Sequence, residues 1–316
     1  MLYPAELPGP PINRRAKSLW TGRGQARHAL SMNFRFAHRS RRSCADATPW
    51  LCGACLGLLA VLVASPCLAA CGRPAGRVQV VGVDERLDIE LGDGRTVRLG
   101  GLDAPNADHG APETANQARE FLSERLLGRE VDVIEFAGGT DRWGRTVADL
   151  AVVDPKDGSP DSTIAAMLTA GYARVRPEFE TRGCAAERLA IEDEARQREV
   201  GIWRDPAFAV IQSSNSSVLR RRDGKFVVVE GMVRRVGFAR SRIYLELAPR
   251  GGPTIVVARK LETALAREGR PVGAMVGQTI RARGALDGRF GPRIEIVDPA
   301  MIEIARSAGA PGEAKP

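Results

Sequence analysis

Apolar residues recur at every second position early in the recognisable part of the chain. Val78 and Val80 share one face, Leu87, Ile89 and Leu91 repeat at period two, and residues 95–101 return after Gly92-Asp93-Gly94. Period two marks half-buried strands, and a Gly-Asp-Gly triplet between them is a hairpin turn signal. The spacing then lengthens to three and four at Ala118, Phe121, Leu122 and Leu126, between Pro112-Glu113 and Gly128. That predicts a helix, with proline in its first turn, glutamate at the positive end of the dipole and glycine as the C-terminal cap. Val131, Val133 and Phe136, then residues 146–153, predict two more strands. Ile164, Met167 and Leu168 give a short helix ending at Gly171, and residues 173–176 a short extended piece. Residues 184–199 read as a charged amphipathic helix with Leu189, Ile191 and Ala195 inward, and Trp203 as a core anchor.

Beyond residue 205 the pattern breaks and then resumes. Residues 206–224, with Ser213-Ser-Asn-Ser-Ser217 and Arg220-Arg221-Arg222, read as a linker, the three arginines as a solvated junction. Strand patterns follow at residues 226–230, 232–236, 243–247, 254–258, 279–284 and 293–297, with one or two helical turns near residues 261–267. Residues 225–306 are therefore expected to form a second, small barrel-like β domain, with an OB-like module as one form of it. The Ala/Gly/Pro-rich end, residues 307–316, reads as a disordered tail.

Residues 1–71 carry no such periodicity. Arg41-Arg42 precede an apolar run at residues 50–63 and then Leu68-Ala69-Ala70-Cys71. A basic start, an apolar middle and a small-residue cleavage zone make a secretory signal. Leu-Ala-Ala-Cys is similar to a bacterial lipobox, which would make Cys71 a lipidated mature N-terminus. Ordinary cleavage near Ala69 or Ala70 and an uncleaved anchor are the alternatives. The expected location is exported: periplasmic, anchored to the cell envelope as a lipoprotein, or secreted. With Cys71 acylated, Cys184 would be the one remaining thiol of the mature chain, and no internal disulfide could form.

The leader also dominates the charge. The whole chain carries a formal net charge of +8. Removing the nine Lys+Arg and two Asp+Glu of residues 1–71 from totals of 46 and 38 leaves 37 and 36. The near-neutral remainder is no evidence by itself for a nucleic-acid partner. His109 is the single histidine after the leader, which excludes a multi-histidine metal site.

The chemistry concentrates in two short stretches, Thr96-Val-Arg-Leu-Gly-Gly-Leu-Asp-Ala-Pro105 and Thr140-Asp-Arg-Trp-Gly-Arg145. Arg98 and Arg145 sit at strand ends, and each offers a rigid fork of donors to the non-bridging oxygens of a phosphodiester. Asp103, in a turn, is a candidate cation ligand. Trp143 can pack locally or lie against a base, a contact worth ~1–3 kcal/mol.

Together the two stretches resemble the staphylococcal nuclease (thermonuclease) family over residues 77–205. The resemblance implies an OB-like β-barrel with packed helices, α+β and mostly β, and a calcium-dependent phosphodiesterase. Arg98 and Arg145 match the arginines that stabilise the charged transition state. Asp103 matches the second calcium aspartate, and the backbone of Ala104 supplies a carbonyl. Two departures follow from the same alignment. Keeping Ile89 and Leu91 in register puts Leu87 where the first calcium aspartate should be and turns Asp88 to the other face, unless a bulge or register slip intervenes. Asn106 stands where the family glutamate should be, with Asp108 as a stand-in. Loss of a general base typically costs ~10²–10⁴-fold in rate. The expectation is thus a protein of the cell envelope that binds phosphate or nucleic acid with little or no hydrolysis and a weakened Ca²⁺ site. The alternatives are an active calcium-dependent nuclease and a structural scaffold.

Overall fold

The computed structural model describes residues 71–106, 111–153, 158–248 and 252–305. The segment before Cys71 that reads as a secretory signal, Asp108, His109 and the tail after Ala305 lie outside the described residues.

The alternating stretches become the staves of a closed barrel. Strands β1 (Arg73–Val83), β2 (Ile89–Leu91) and β3 (Thr96–Leu99) form the meander. The motif strand continues after a break at Gly101 as a separate two-residue strand, β4 (Leu102–Asp103). Helix α1 (Pro112–Leu126) follows, then β5 (Glu130–Thr140) and β6 (Thr146–Val153). The sheet order β3-β2-β1-β5-β6 is closed by a parallel β3–β6 pairing, and β7 (Pro160–Ser162) extends it beyond β6. Val80, Ile89, Val97, Val131, Val133 and Leu150 point into the barrel and are fully buried, and α1 adds Leu122 and Leu126. α2 (Thr163–Thr169) plugs one side with Ile164, Met167 and Leu168, its N-terminus capped by Ser162. This is the OB-like barrel with helices that the pattern implied.

β8 (Arg174–Val175) pairs with β4 through Leu102↔Val175 and Asp103↔Arg174. A 3₁₀ segment, Phe179–Cys184, leads into α3 (Ala185–Gln197). Leu189 and Ile191 pack half-buried against the barrel core and Ala195 is fully buried as expected, but the most buried face of α3 also includes Ala185, Arg188 and Glu192. The reason is that α3 lies between two modules and meets polar partners on both. Arg188 donates to Gly100 O at 3.0 Å, and Glu192 accepts from Val175 N at 2.5 Å and Arg283 Nη1 at 2.9 Å. Ile202 and Phe208 fill the small core that follows, and Trp203 packs half-buried against it.

The stretch expected to be a linker is structured. It contains β9 (Ile211–Gln212), which adds in parallel to the next strand, and α4 (Ser216–Arg221), capped by Asn215 and burying Leu219. The second module comprises β10 (Phe226–Met232), β11 (Arg235–Phe238), β12 (Arg242–Glu246) and β13 (Thr254–Ala258), then α5 (Glu262–Arg267), β14 (Thr279–Asp287), β15 (Arg293–Ile296) and β16 (Ile302–Ile304). With β9 they make one eight-stranded sheet, ordered β11-β12-β13-β15-β14-β10-β9, with β16 on β14. Every strand except β11 sends buried residues into one core, among them Val229, Leu245, Val257, Ile280, Ile296 and Ile302, capped by Leu265 of α5.

Both modules belong to one compact unit. Between them lies an ionic seam. Arg283 is fully buried between Glu192 and Glu303, and Arg281 reaches Glu230 and Asp193. Burial alone would lower the Arg283 pKa, but the two carboxylates outweigh it and raise it above the ordinary value, so the residue is charged.

Cys71 and Cys184 form a disulfide, with Cα atoms 5.7 Å apart. A sulfur in that bond cannot also carry a thioether lipid. The sequence reading, with Cys71 acylated, left no internal disulfide; the structure instead has a bridge from just before β1 to just before α3.

Candidate phosphodiester-binding cleft

The barrel rim opens into a cleft of about 1040 Å³ lined by Arg98, Asp103 and Arg145, so the three motif residues do converge. Ala104, Asn106 and Trp143 line the same space. Arg98 is set by β3, where it pairs across to Val147 of β6. Arg145 is set by the turn before β6, which Asp141 organises. The Asp141 Oδ1 accepts the backbone N–H groups of Trp143 (2.9 Å) and Arg145 (3.1 Å), and Gly144, at φ +80°, completes the reversal. Trp143 is 64% exposed, with the Arg142 and Arg145 guanidinium carbons 3.9 and 5.0 Å from its ring centre. It packs into no core; it is an aromatic face presented at the cleft.

Asp88 is in the cleft, against the register argument. Leu87 has φ +65°, a left-handed conformation rare for a branched side chain, and β1 carries a bulge between Val80 and Gly82 opposite β2. Together they turn three consecutive residues, Leu87, Asp88 and Ile89, inward; Leu87 enters the core and Asp88 faces Arg145. Arg145 Nη1 donates to both Asp88 oxygens, at 2.9 and 2.8 Å, while its Nε and Nη2 engage Asp141 Oδ2 at 2.9 and 2.7 Å. Burial alone would raise the Asp141 carboxyl, but hydrogen bonds from the Arg145 side chain and the two turn amides hold it below the usual range. Burial alone would lower the Arg145 pKa, but hydrogen bonds to Asp88 and Asp141 outweigh it and raise it above the ordinary value.

Arg98 is paired too. Its Nη1 and Nη2 donate to the two oxygens of Glu178 at 3.2 and 3.1 Å, fork to fork, and its Nε lies 3.6 Å from Asp141. Glu178 follows β8 and also accepts the Gly101 N–H at 3.1 Å. Gly101 has φ +77°, and a Cβ there would lie 2.7 Å from both Arg188 Nη1 and Thr181 Oγ1, so only glycine lets this strand break approach so closely. Glu178 carries no motif, and no sequence signal would have found it. Asp141 lay inside the Thr-Asp-Arg-Trp-Gly-Arg stretch, where an Asp two residues before Trp-Gly is an Asx-turn signal.

Asp103 is 5% exposed, and its Oδ2 accepts Arg174 Nε at 3.1 Å and Nη2 at 2.5 Å. Arg174, 2% exposed, also donates to the carbonyls of Phe208 (3.3 Å) and Phe226 (3.2 Å). Asp103 thus neutralises a guanidinium that ties the barrel to the second module.

This donor set does not fit the calcium ion that the family resemblance implied. Asp88, Asp103 and Asp141 each give their charge to an arginine, and among the described residues no group of three or more His, Cys, Asp or Glu side chains gathers to hold an ion. A hard cation needs several oxygens whose charge is not already compensated. The charged residues lining the cleft number five acidic and five basic, so it carries no net charge.

A closed five-stranded barrel with helices packed on it, its arginines at strand ends around one rim cleft, defines a nuclease-type OB barrel. The family model "Staphylococcal nuclease homologue" matches residues 96–205, which hold both motif stretches. Protein ParB of Escherichia coli is 36% identical over 113 residues, which are 35% of this chain and 60% of that protein. The carbamoyl phosphate synthase large chain of Halobacterium salinarum (strain ATCC 700922 / JCM 11081 / NRC-1) is 33% identical over 109 residues, 33% of this chain and 10% of that protein. The chain thus spans 60% of the first relative's length and 10% of the second's. The family match begins at β3; β1 and β2, which deliver Asp88, complete the barrel outside it.

Proposed function

We propose that the cleft binds the phosphodiester backbone of a nucleic acid, and that it holds its two arginines on internal carboxylates until that ligand arrives. The observation that carries this reading is the fork-to-fork seat of Glu178 on Arg98. A carboxylate and a phosphodiester present the same pair of oxygens to a guanidinium, so Glu178 occupies the place a phosphate would take. Binding is then an exchange of anions: the ligand displaces Glu178, and Arg145, anchored by Asp88 and Asp141, keeps its position. The exposed Trp143 ring beside Arg145 suits a stacked base.

Such exchange makes binding moderate, because every new charge-assisted bond replaces an existing one. The test is anisotropy of a fluorescein-labelled oligothymidylate with the purified full chain. Arg98→Ala and Arg145→Ala should each lower affinity about tenfold or more, since a hydrogen bond to a charged group is worth ~1.5–3 kcal/mol. Unchanged affinity in both variants refutes the reading. A second reading, phosphodiester hydrolysis, is favoured by the family match and by Glu178, a carboxylate placed beside Arg98 where it could accept a proton from water. The same oligonucleotide on a denaturing gel reads that out. An exported location belongs with this proposal: the Cys71–Cys184 disulfide supports it, since such bonds persist in oxidising compartments.

A further inference from the structure

The cleft is not built by the nuclease-like barrel alone. Gly224, Lys225 and Phe226, where the second module begins β10, form part of its wall. They are locked in place: Gly224 N donates to Leu286 O at 2.8 Å, Leu286 N to Lys225 O at 2.9 Å, and the Phe226 carbonyl accepts Arg174. The Phe226 ring lies 5.3 and 5.7 Å from the guanidinium carbons of Arg174 and Arg176. Immediately before this wall, α4 ends in Arg220-Arg221-Arg222.

Arg220, Arg221 and Lys225 are exposed, and Arg222 is half-buried, with its Nη2 on the Pro206 carbonyl at 3.3 Å. The acid within this run, Asp223, is taken up by the Gly288 N–H at 2.7 Å. Three residues of chain span at most about 11 Å, so the Arg221 backbone lies within one or two phosphate spacings of the cleft wall at Gly224. Basic residues at a helix C-terminus complement its dipole, which accounts for their stability on α4 but not for their run into the cleft wall.

We infer that the second module supplies a phosphate-contacting strip, Arg220, Arg221 and Lys225, that carries a single-stranded polynucleotide out of the cleft. This rests on the phosphodiester reading above and extends it from one phosphate to a polymer path. The cleft has balanced charge and exerts little long-range pull, so a polyanion needs attraction from beside it, and this strip is contiguous with it. The cleft volume is at the upper end of small-ligand pockets, room for a short stretch of strand with splayed bases. An exposed tryptophan at the rim favours unstacked bases, which a single strand offers and a duplex does not.

The experiment compares a labelled thymidine dinucleotide, a single-stranded 12-mer and a 12-base-pair duplex against the purified full chain, Arg98→Ala, and the pair Arg220→Glu/Arg221→Glu, across a salt series. Both α4 positions are exposed, so the fold should survive; an unchanged urea midpoint checks it. The strip predicts that the 12-mer binds about tenfold or more tighter than the dinucleotide and tighter than the duplex. The double charge reversal should erase that advantage, leave the dinucleotide within twofold, and reduce the slope of log K against log salt by about 0.7 per lost contact. If Arg98→Ala weakens binding but the double reversal does not, or if the duplex binds tighter, the strip is wrong while the cleft reading stands. If neither variant changes binding of the 12-mer, both are wrong.

Discussion

Replacing Arg174 with methionine should be among the most damaging single changes in this protein. The side chain is 2% exposed and its partner Asp103 5% exposed. Two of its nitrogens converge on Asp103 Oδ2, and it also satisfies the carbonyls of Phe208 and Phe226. Methionine fills much of the volume and none of the charge. Removing one partner of a buried ion pair costs ~3–5 kcal/mol, because the other charge loses its counter-ion. A buried carbonyl that loses its donor adds ~1–3 kcal/mol; Phe208 O qualifies, whereas Phe226 O is near enough to solvent to find water. The expected loss is therefore about 4–8 kcal/mol, a large part of the ~5–15 kcal/mol that holds a typical protein folded. Urea unfolding followed by circular dichroism measures it. The decisive arm is the double variant Arg174→Met/Asp103→Asn, which removes the orphaned charge and should recover about 2 kcal/mol or more. If Arg174→Met costs less than about 1 kcal/mol, or the double variant is merely additive, Asp103 does not serve as the counter-ion of this joint and the account of the site is wrong.

Four further outcomes follow from other groups. Glu178→Gln removes the internal anion from Arg98 and should tighten oligonucleotide binding about three- to tenfold in the anisotropy assay; weaker binding would mean that Glu178 assists the ligand rather than competing with it. Burial raises the Asp149 carboxyl above its ordinary value despite hydrogen bonds from Ser162 and two backbone amides, so the folded state holds its proton more tightly. That contribution is complete below the unfolded value near about 4 and is lost as pH rises through the folded one, so Asp149→Asn should be neutral or stabilising at pH 7 in urea titrations across pH. Calcium at about 1 mM should move the thermal midpoint by less than about 1 °C; a site with a dissociation constant near 10 μM would instead add ~2.7 kcal/mol. Reducing the Cys71–Cys184 bond, which closes a separation of 113 residues, should cost ~2–4 kcal/mol by urea unfolding with and without reductant.

The sequence made the strands and helices legible because period two and period three-to-four patterns survive in the cores of both modules. It failed where packing partners are distant. The inner face of α3 reads as Leu189, Ile191 and Ala195 by hydrophobicity, yet Arg188 and Glu192 are buried beside them, since the elements that accept them lie about 90 residues away in either direction. The serine-rich stretch looked unstructured because two short elements, β9 and α4, gain their stability from β10 and the second core. At the cleft, Arg98, Asp103, Arg145 and Trp143 were readable as motif residues. Asp88 was misassigned because a left-handed Leu87 and a bulge in β1 break strict alternation. Glu178, Arg174 and the Phe226 wall are joined to the cleft by tertiary structure alone.

The polar inner face of α3 also decides where this protein can be cut. Ending the chain before β10 would strip Arg283 from Glu192 and the Phe226 carbonyl from Arg174, and would bare one flank of α3 to solvent with a carboxylate built for a dry partner. The segment that matches the nuclease family therefore leans on the second module for buried partners and for part of its cleft wall. An excised barrel would report on a damaged cleft, and its behaviour would be a poor guide to what the intact molecule does.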